Sequence, residues 1–340
     1  MSRRVDLVSS DATAILAADS GRLAVGIDIG GTSTRAAVVD EQGQILDKVR
    51  TQTPATAWAL EACLDRAVGE LRQRWPVEAV GLAIAGFLTP DRQTVRFSPH
   101  LPWREAAVAA DLTKRLGLPV FLEHDANAAA VAELHYGAAA RGHNTLVLAI
   151  GTGIGAGLLL DGELYRGSFG VAPELGHLRL VPDGRPCACG KFGCWERYCS
   201  GTALVDHVVE LVADGAGAGS ALAREIGEDP GSLTGRRVAA AAADGDPLAV
   251  AAFAEFARWL GLGLAMIGDI FDPDLVVLAG GLGAASSLFL DEAREHYRSM
   301  LTGAGHRKTA RIRPTQLGEA AGVIGAADVA RRELRAASGG

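Results

Sequence analysis

Residues 176–196 read GHLRLVPDGRPCACGKFGCWE, which places one histidine and three of the five cysteines of a 340-residue chain in one short stretch. His177, Cys187, Cys189 and Cys194 are separated by nine, one and four residues. One imidazole and three thiolates make a closed tetrahedral set, the pattern of a structural Zn²⁺ with no open position for water. Pro182, Pro186, Gly184, Gly190 and Gly193 supply the bends that fold four donors around one ion. Thiols can also pack as small hydrophobes, which suits Cys63 on a helical stretch and Cys199, but not three thiols in a polar loop.

Glycine turns form the second chemical feature. DIGGT (28–32), GTGIGAG (151–157) and LAGGLG (278–283) each follow an apolar run. A glycine pair after a strand lets backbone N–H groups approach an anion with no Cβ in the way. Gly30 and Gly31, Gly151, Gly153 and Gly155, and Gly280 and Gly281 are the candidate cofactor-binding glycines. Thr32 and Thr152 add hydroxyl donors, and Asp28 adds a carboxylate able to hold water on Mg²⁺. One such turn alone is equally an empty hairpin, but three in one chain favour a nucleotide site between two lobes. Neither the dinucleotide fingerprint nor the P-loop fits, since position 156 is Ala, a strand is predicted after the turn, and the P-loop lysine is missing.

A third candidate is EHDAN (123–127), where Asp125 falls between a predicted strand and a predicted helix. Read alone it is a helix N-cap, in a place where a helix N-terminus also favours an ionised carboxylate.

The elements that must position these residues repeat. Strand, glycine turn and strand are predicted at 22–46, and again at 144–164 with a hairpin at Asp161-Gly162. Helices are predicted at 56–75, 102–117 and from Ala126, and strands at 44–50, 77–87, 119–125, 273–283 and 310–318. This is an α/β pattern in two lobes. Residues 22–142 make a small lobe, onto which a terminal helix at 319–336 packs back, and 143–318 make a large lobe carrying the knuckle. A chain of this length is long for a single core.

Composition narrows the classes. Net charge is −7 with mixed signs, so no nucleic-acid footprint is present. The apolar run 146–160 is too short and glycine-rich to span a bilayer. Asp6, Asp11 and Asp19 interrupt any signal core, and five bunched cysteines argue against a disulfide framework. A soluble cytoplasmic protein without a membrane partner is expected.

Taken in order, DIGGTSTR, EHDANAAA, GTGIGAG, ELGH followed by CACGKFGCWE, and LAGGLG resemble the ROK family of sugar kinases and repressors. AIAGF and FSPHLPWRE resemble its bacterial ATP-dependent glucokinases in particular. The resemblance implies a two-lobed actin/sugar-kinase-like (ribonuclease H-like) fold, with ATP and Mg²⁺ serving phosphorylation of a hexose 6-hydroxyl. It implies that Asp125 is the catalytic base and that Gly86, His124, Glu174, His177 and Glu196 contact the sugar. It also implies a homodimer or homotetramer, and leaves polyphosphate open as a donor.

One position departs from the family pattern Glu-Asn-Asp-Ala, because His124 replaces the asparagine. Histidine has one donor and one acceptor on a flat ring, where asparagine has a carbonyl and an amide. An amino sugar such as kanosamine, an N-acetylhexosamine or a C7-cyclitol therefore stands beside glucose. A sugar-sensing repressor is the remaining alternative, but only about twenty residues precede the first predicted strand, too few for a helix-turn-helix.

Overall fold

The computed structural model describes residues 22–140, 142–229, 231 and 233–338. The targeting-segment reading of residues 1–21 lies outside them. The chain divides into two compact units, one running up to Tyr136 with Arg166–Ala172 and everything from Ala320, the other Gly137–Tyr165 and Pro173–Glu319.

In the first unit, β1 (Leu23–Ile29), β2 (Ser33–Val39) and β3 (Ile45–Gln52) form an antiparallel meander. β4 (Val77–Ile84) adds parallel to β1, and after the short strands β5 (Phe87–Leu88), β6 (Val95–Phe97) and β7 (Arg104–Ala106), β8 (Val120–His124) adds parallel to β4. The order is β3-β2-β1-β4-β8. β1 and β4 are almost wholly buried, as a parallel pair covered on both faces requires. The helices Ala57–Arg72 and Val108–Leu116 contribute to one apolar core against this sheet. Thr56 caps the first by accepting from the Ala59 N–H.

The helix Ala321–Ser338 packs on β1, β4 and the helix Asp125–Tyr136. Glycine permits that approach: a Cβ on Gly26 or Gly81 would stand 1.8 Å from the carbonyl oxygen of Val323 or Ala326. A buried polar cluster locks the same contact. Asp328 accepts from Tyr136 Oη at 2.5 Å and lies 2.7 Å from His135 Nδ1, with Arg331 and Arg332 alongside.

The second unit repeats the pattern. β9 (Thr145–Ile150), β10 (Ile154–Leu160) and β11 (Glu163–Tyr165) form the meander, then β12 (Leu275–Ala279) and β13 (Arg311–Pro314) add in parallel. The order β11-β10-β9-β12-β13 matches that of the first sheet. Its core helix, Pro247–Phe271, starts at Asp246, whose carboxylate accepts from the Leu248 and Ala249 N–H groups. Among the described residues this helix, not 146–160, is the one long and apolar enough by length and composition to cross a bilayer, yet it buries residues such as Phe253, Phe256, Leu260 and Leu264 in the core.

Two expectations are corrected. Residues 102–117 are not one helix: Arg104–Ala106 is a strand in a small sheet ordered β5-β6-β7, and the helix begins at Val108. Trp103, 1% exposed, is buried there, with its indole donating to Glu61 at 3.3 Å. The second lobe is also not continuous over 143–318, because Arg166–Ala172 belongs with the first unit and Gly137 onward with the second. Arg166 is bound to Glu123, and Gly170 lies against Pro90, which holds that segment.

Candidate functional site

β8 ends at His124, and Asp125 opens the helix Asp125–Tyr136. The Asp125 side chain is 41% exposed; its Oδ1 accepts from the Ala126 N–H at 2.7 Å and lies 3.3 Å from His124 Nε2. Among the described residues Oδ2 has no partner. A carboxylate fixed through one oxygen, with the other free at a helix start, is equipped to accept a proton.

Behind it sits a group that sequence reasoning missed. Glu123 is 2% exposed, and its Oε2 accepts from Arg166 Nε at 3.0 Å and Nη2 at 2.6 Å, with Arg92 Nη1 at 3.4 Å. Its Oε1 accepts from the His124 N–H and from Asn127 Nδ2, each at 3.1 Å. The buried carboxylate thus holds the backbone and first turn from which His124 and Asp125 project. A carboxylate following the apolar run Val120–Leu122 in a strand was the available signal; Arg166, 43 residues away, left none.

The first glycine turn is braced by Thr53, which donates from Oγ1 to the Gly30 carbonyl at 2.6 Å and from its N–H to the Thr32 carbonyl at 3.1 Å. Gly31 and Thr32 are exposed at the tip. Asp28, at the end of β1, lies beside Gly322, where a Cβ would come within 3.1 Å of the carboxylate carbon. Gly86 is likewise fixed by packing, since a Cβ would meet the Phe97 carbonyl oxygen at 2.7 Å.

In the second unit the turn is Gly151-Thr152-Gly153 alone; Gly155 pairs with Ala149 inside β10 and is not part of it. Gly201 N–H and Thr202 Oγ1 donate to the carbonyls of Gly151 and Thr152 at 2.7 and 2.9 Å. Gly280 follows β12 with φ +78°, and a Cβ there would stand 2.5 Å from the Ile150 carbonyl oxygen, so glycine is required on both counts. Gly281 faces open space.

The knuckle residues do converge. One donor atom from each of His177, Cys187, Cys189 and Cys194 lies within 4.8 Å of the others. Cys189 and Cys194 sulfurs are 3.6 Å apart, as are Cys187 Sγ and His177 Nδ1. Sulfurs at about 2.3 Å from a tetrahedral zinc would be about 3.8 Å apart, so the donors and their spacing fit that ion. Burial, then the Glu196 carboxylate, pushes the Cys187 thiol up, and burial does the same at Cys194. At Cys189 burial is outweighed by the Lys191 N–H and the neighbouring thiols, and the thiol moves down. A dication at the centre would favour the thiolate at all three.

Trp195, fully buried beside Cys194, anchors the loop: its indole donates to the Trp259 carbonyl at 2.9 Å, against the Cβ-free surface of Gly263. Glu196 then joins two parts of the unit. Its Oε1 accepts from Cys187 Sγ at 3.0 Å and lies 3.5 Å from His177 Nδ1. Its Oε2 accepts from the Ile154 N–H at 3.4 Å, in the space a Cβ on Gly153 would occupy. His177 Nε2 points the other way, 4.0 Å from Glu174. Glu174, His177, Glu196, the knuckle and the 151–153 turn are therefore one cluster. Cys63 and Cys199 stand apart and buried.

The ROK family model matches residues 24–333. The chain is 41% identical over 310 residues to a glucokinase of Streptomyces coelicolor, covering 91% of this chain and 98% of that one. Among solved structures, a ROK family glucokinase from Streptomyces griseus in complex with glucose and AMPPNP is 41% identical, with a TM-score of 0.82 over 91% of this chain and 99% of the other. A ROK hexokinase from Thermus thermophilus is 34% identical, with a TM-score of 0.76 over 92% and 99%.

Proposed function

The chain belongs to the ROK family, and on that premise we propose that it is an ATP-dependent sugar kinase that phosphorylates the primary, 6-hydroxyl of a hexose. The observation that carries the reading is Asp125, with its free Oδ2 at the helix start. Asp125 takes the proton from the hydroxyl as that oxygen bonds to the γ-phosphorus of ATP. The bond from phosphorus to the bridging oxygen breaks and ADP leaves. The turns at Gly30-Gly31-Thr32, Gly151-Thr152-Gly153 and Gly280-Gly281 supply N–H and hydroxyl donors to the nucleotide. Asp28 would hold Mg²⁺ through water, and that ion would neutralise phosphate charge.

Glu174, His177 Nε2 and Glu196 serve as sugar-hydroxyl contacts, with Gly86 giving backbone access. His177 Nδ1, Cys187, Cys189 and Cys194 would hold Zn²⁺, which keeps this loop still and takes no part in the reaction. We place the activity in the cytoplasm, in a homodimer or homotetramer without nucleic-acid or membrane partners. The relatives at 41% identity are glucokinases, and they support glucose as the substrate.

A specific observation favours a second reading of the substrate. His124 stands in the family's asparagine position with its ring nitrogen 3.3 Å from the base's Oδ1. An imidazole beside Asp125 offers at most one donor and one acceptor, where an asparagine amide offers two donors and a carbonyl for neutral hydroxyls. A sugar altered at that edge, such as an amino sugar, an N-acetylhexosamine or a C7-cyclitol, would suit it.

The test is ADP release with Mg²⁺-ATP and a panel of glucose, mannose, N-acetylglucosamine, 3-amino-3-deoxyglucose (kanosamine) and a C7-cyclitol. The highest kcat/KM on glucose supports the first reading, and a tenfold preference for an altered ring supports the second. Asp125→Asn should lose on the order of 10²–10⁴-fold in kcat with unchanged unfolding. Near-normal turnover in that variant overturns the mechanism, and no ADP with any sugar returns the chain to a sensing role.

A further inference from the structure

A cavity of about 320 Å³ lies in the second unit between the helix Leu290–Met300 and the edge strand β13, with no lining residue from the glycine turns or the knuckle. Four of its lining side chains are arginines: Arg294 and Arg298 from the helix, Arg311 and Arg313 from the strand. The strand sits in HRKTARIRP (306–314), which also holds Arg307 and Lys308 and no acidic residue. Arg307 is itself paired with Asp269 and Asp272, so the positive charge at the cavity comes from the four lining arginines.

Two of the four are already engaged. Arg294 pairs with Asp291 and donates to the Ile312 carbonyl at 2.5 Å, and Arg311 pairs with Asp274 at 3.2 Å. Arg298 and Arg313 are exposed and have no acidic partner among the described residues. Positive charge on an edge strand also deters pairing with another chain, and that accounts for Arg311 and Arg313. It does not account for Arg294 and Arg298, which reach the same cavity from a separate helix. Thr309, also lining the cavity, adds a hydroxyl. Guanidinium forks with a hydroxyl are the donor set for phosphate oxygens.

We propose that this cavity is a second, non-catalytic anion site, which takes a small molecule carrying phosphate groups. Arg298 and Arg313 grip its oxygens, while Arg294 and Arg311, tied down by their own partners, line the floor. The volume matches a phosphorylated monosaccharide or a short phosphate chain and sits at the lower end of ligand sites.

The experiment is calorimetric titration of the full chain at fixed ionic strength with glucose and AMPPNP present to occupy the catalytic site. Sodium tripolyphosphate and glucose 6-phosphate are titrated separately, with sulfate as the control. One remaining site for either ligand, weakened at least about tenfold in Arg298→Ala/Arg313→Ala, is the expected result, since each charge-assisted contact is worth that much. The tighter ligand identifies the source, a linear phosphate chain or a sugar phosphate. Thermal unfolding and basal turnover should be unchanged in the variant, because neither arginine belongs to the catalytic machinery. Equal affinity in the variant, an equal response to sulfate, or no binding of either ligand overturns the proposal.

Discussion

Arg166→Ala tests how Asp125, the proposed base, is held. Glu123 is 2% exposed, and Arg166 supplies both of the short hydrogen bonds to its Oε2, at 2.6 and 3.0 Å. The variant leaves that oxygen only Arg92 at 3.4 Å, itself shared with Glu333. Breaking a buried ion pair from one side costs about 3–5 kcal/mol. The residual Arg92 contact and the partial exposure of Arg166 reduce this to about 2–3 kcal/mol. In a domain of this size that is a fall in Tm of roughly 4–12 °C.

A positioning role demands more than lost stability. With Glu123 free to turn, the His124 N–H and Asn127 lose their fixed acceptor and the start of the Asp125 helix loosens. kcat should fall by roughly tenfold or more even at temperatures where the variant is fully folded. Arg166→Lys keeps the charge without the fork and should fall between the two. Differential scanning calorimetry with steady-state ADP release reads both quantities. If Arg166→Ala keeps Tm within 1 °C and kcat within twofold, Glu123 does not hold the site through this pair.

Gly153→Ala would push a methyl to 2.4 Å from Glu196 Oε2; it should raise the KM for ATP severalfold while the zinc content, read by atomic absorption, stays the same. Cys189→Ser, or exhaustive chelation, should remove one equivalent of zinc and shift the fluorescence of buried Trp195, whereas an unchanged metal content would rule out the four-donor assignment. Burial opposes ionisation of Asp328, but bonds from His135, Tyr136 and Arg332 outweigh it and hold its pKa well below the usual 3.8. The stability it contributes is thus complete above pH 4 and lost as pH falls below that. Asp328→Asn should cost about 3 kcal/mol at neutral pH and flatten the acid limb of the Tm–pH curve. An acid limb of unchanged steepness would refute that linkage.

Local chemistry was legible in the sequence where it is written in contiguous residues. The strand–glycine–strand openings appear because the strands alternate with residues that turn sharply, and the histidine–cysteine group appears because its four members lie close together in the chain. The structure assembles both, with donor atoms within 4.8 Å and the two sheets in matching order. Residues 102–117 do not form one helix although Trp103 and Ala106–Ala107 fit a helical pattern, because the burial of Trp103 and the pairing of β6 with β7 depend on residues elsewhere.

What the sequence by itself determined is the family, the alternation of elements and the grouping of one histidine and three cysteines, while Asp125 and a metal at that group are proposals it raised. Each depends on short-range spacing or on a motif read in order. Only the tertiary structure decided that Arg166 returns to bind Glu123, that Glu196 joins the knuckle to the 151–153 turn, and that four arginines from two elements share a cavity. These contacts join positions tens of residues apart, with no periodicity between them. For Glu123 burial leaves few partners and the fold selects which lie within reach, whereas the exposed arginines meet only because their helix and strand are packed side by side.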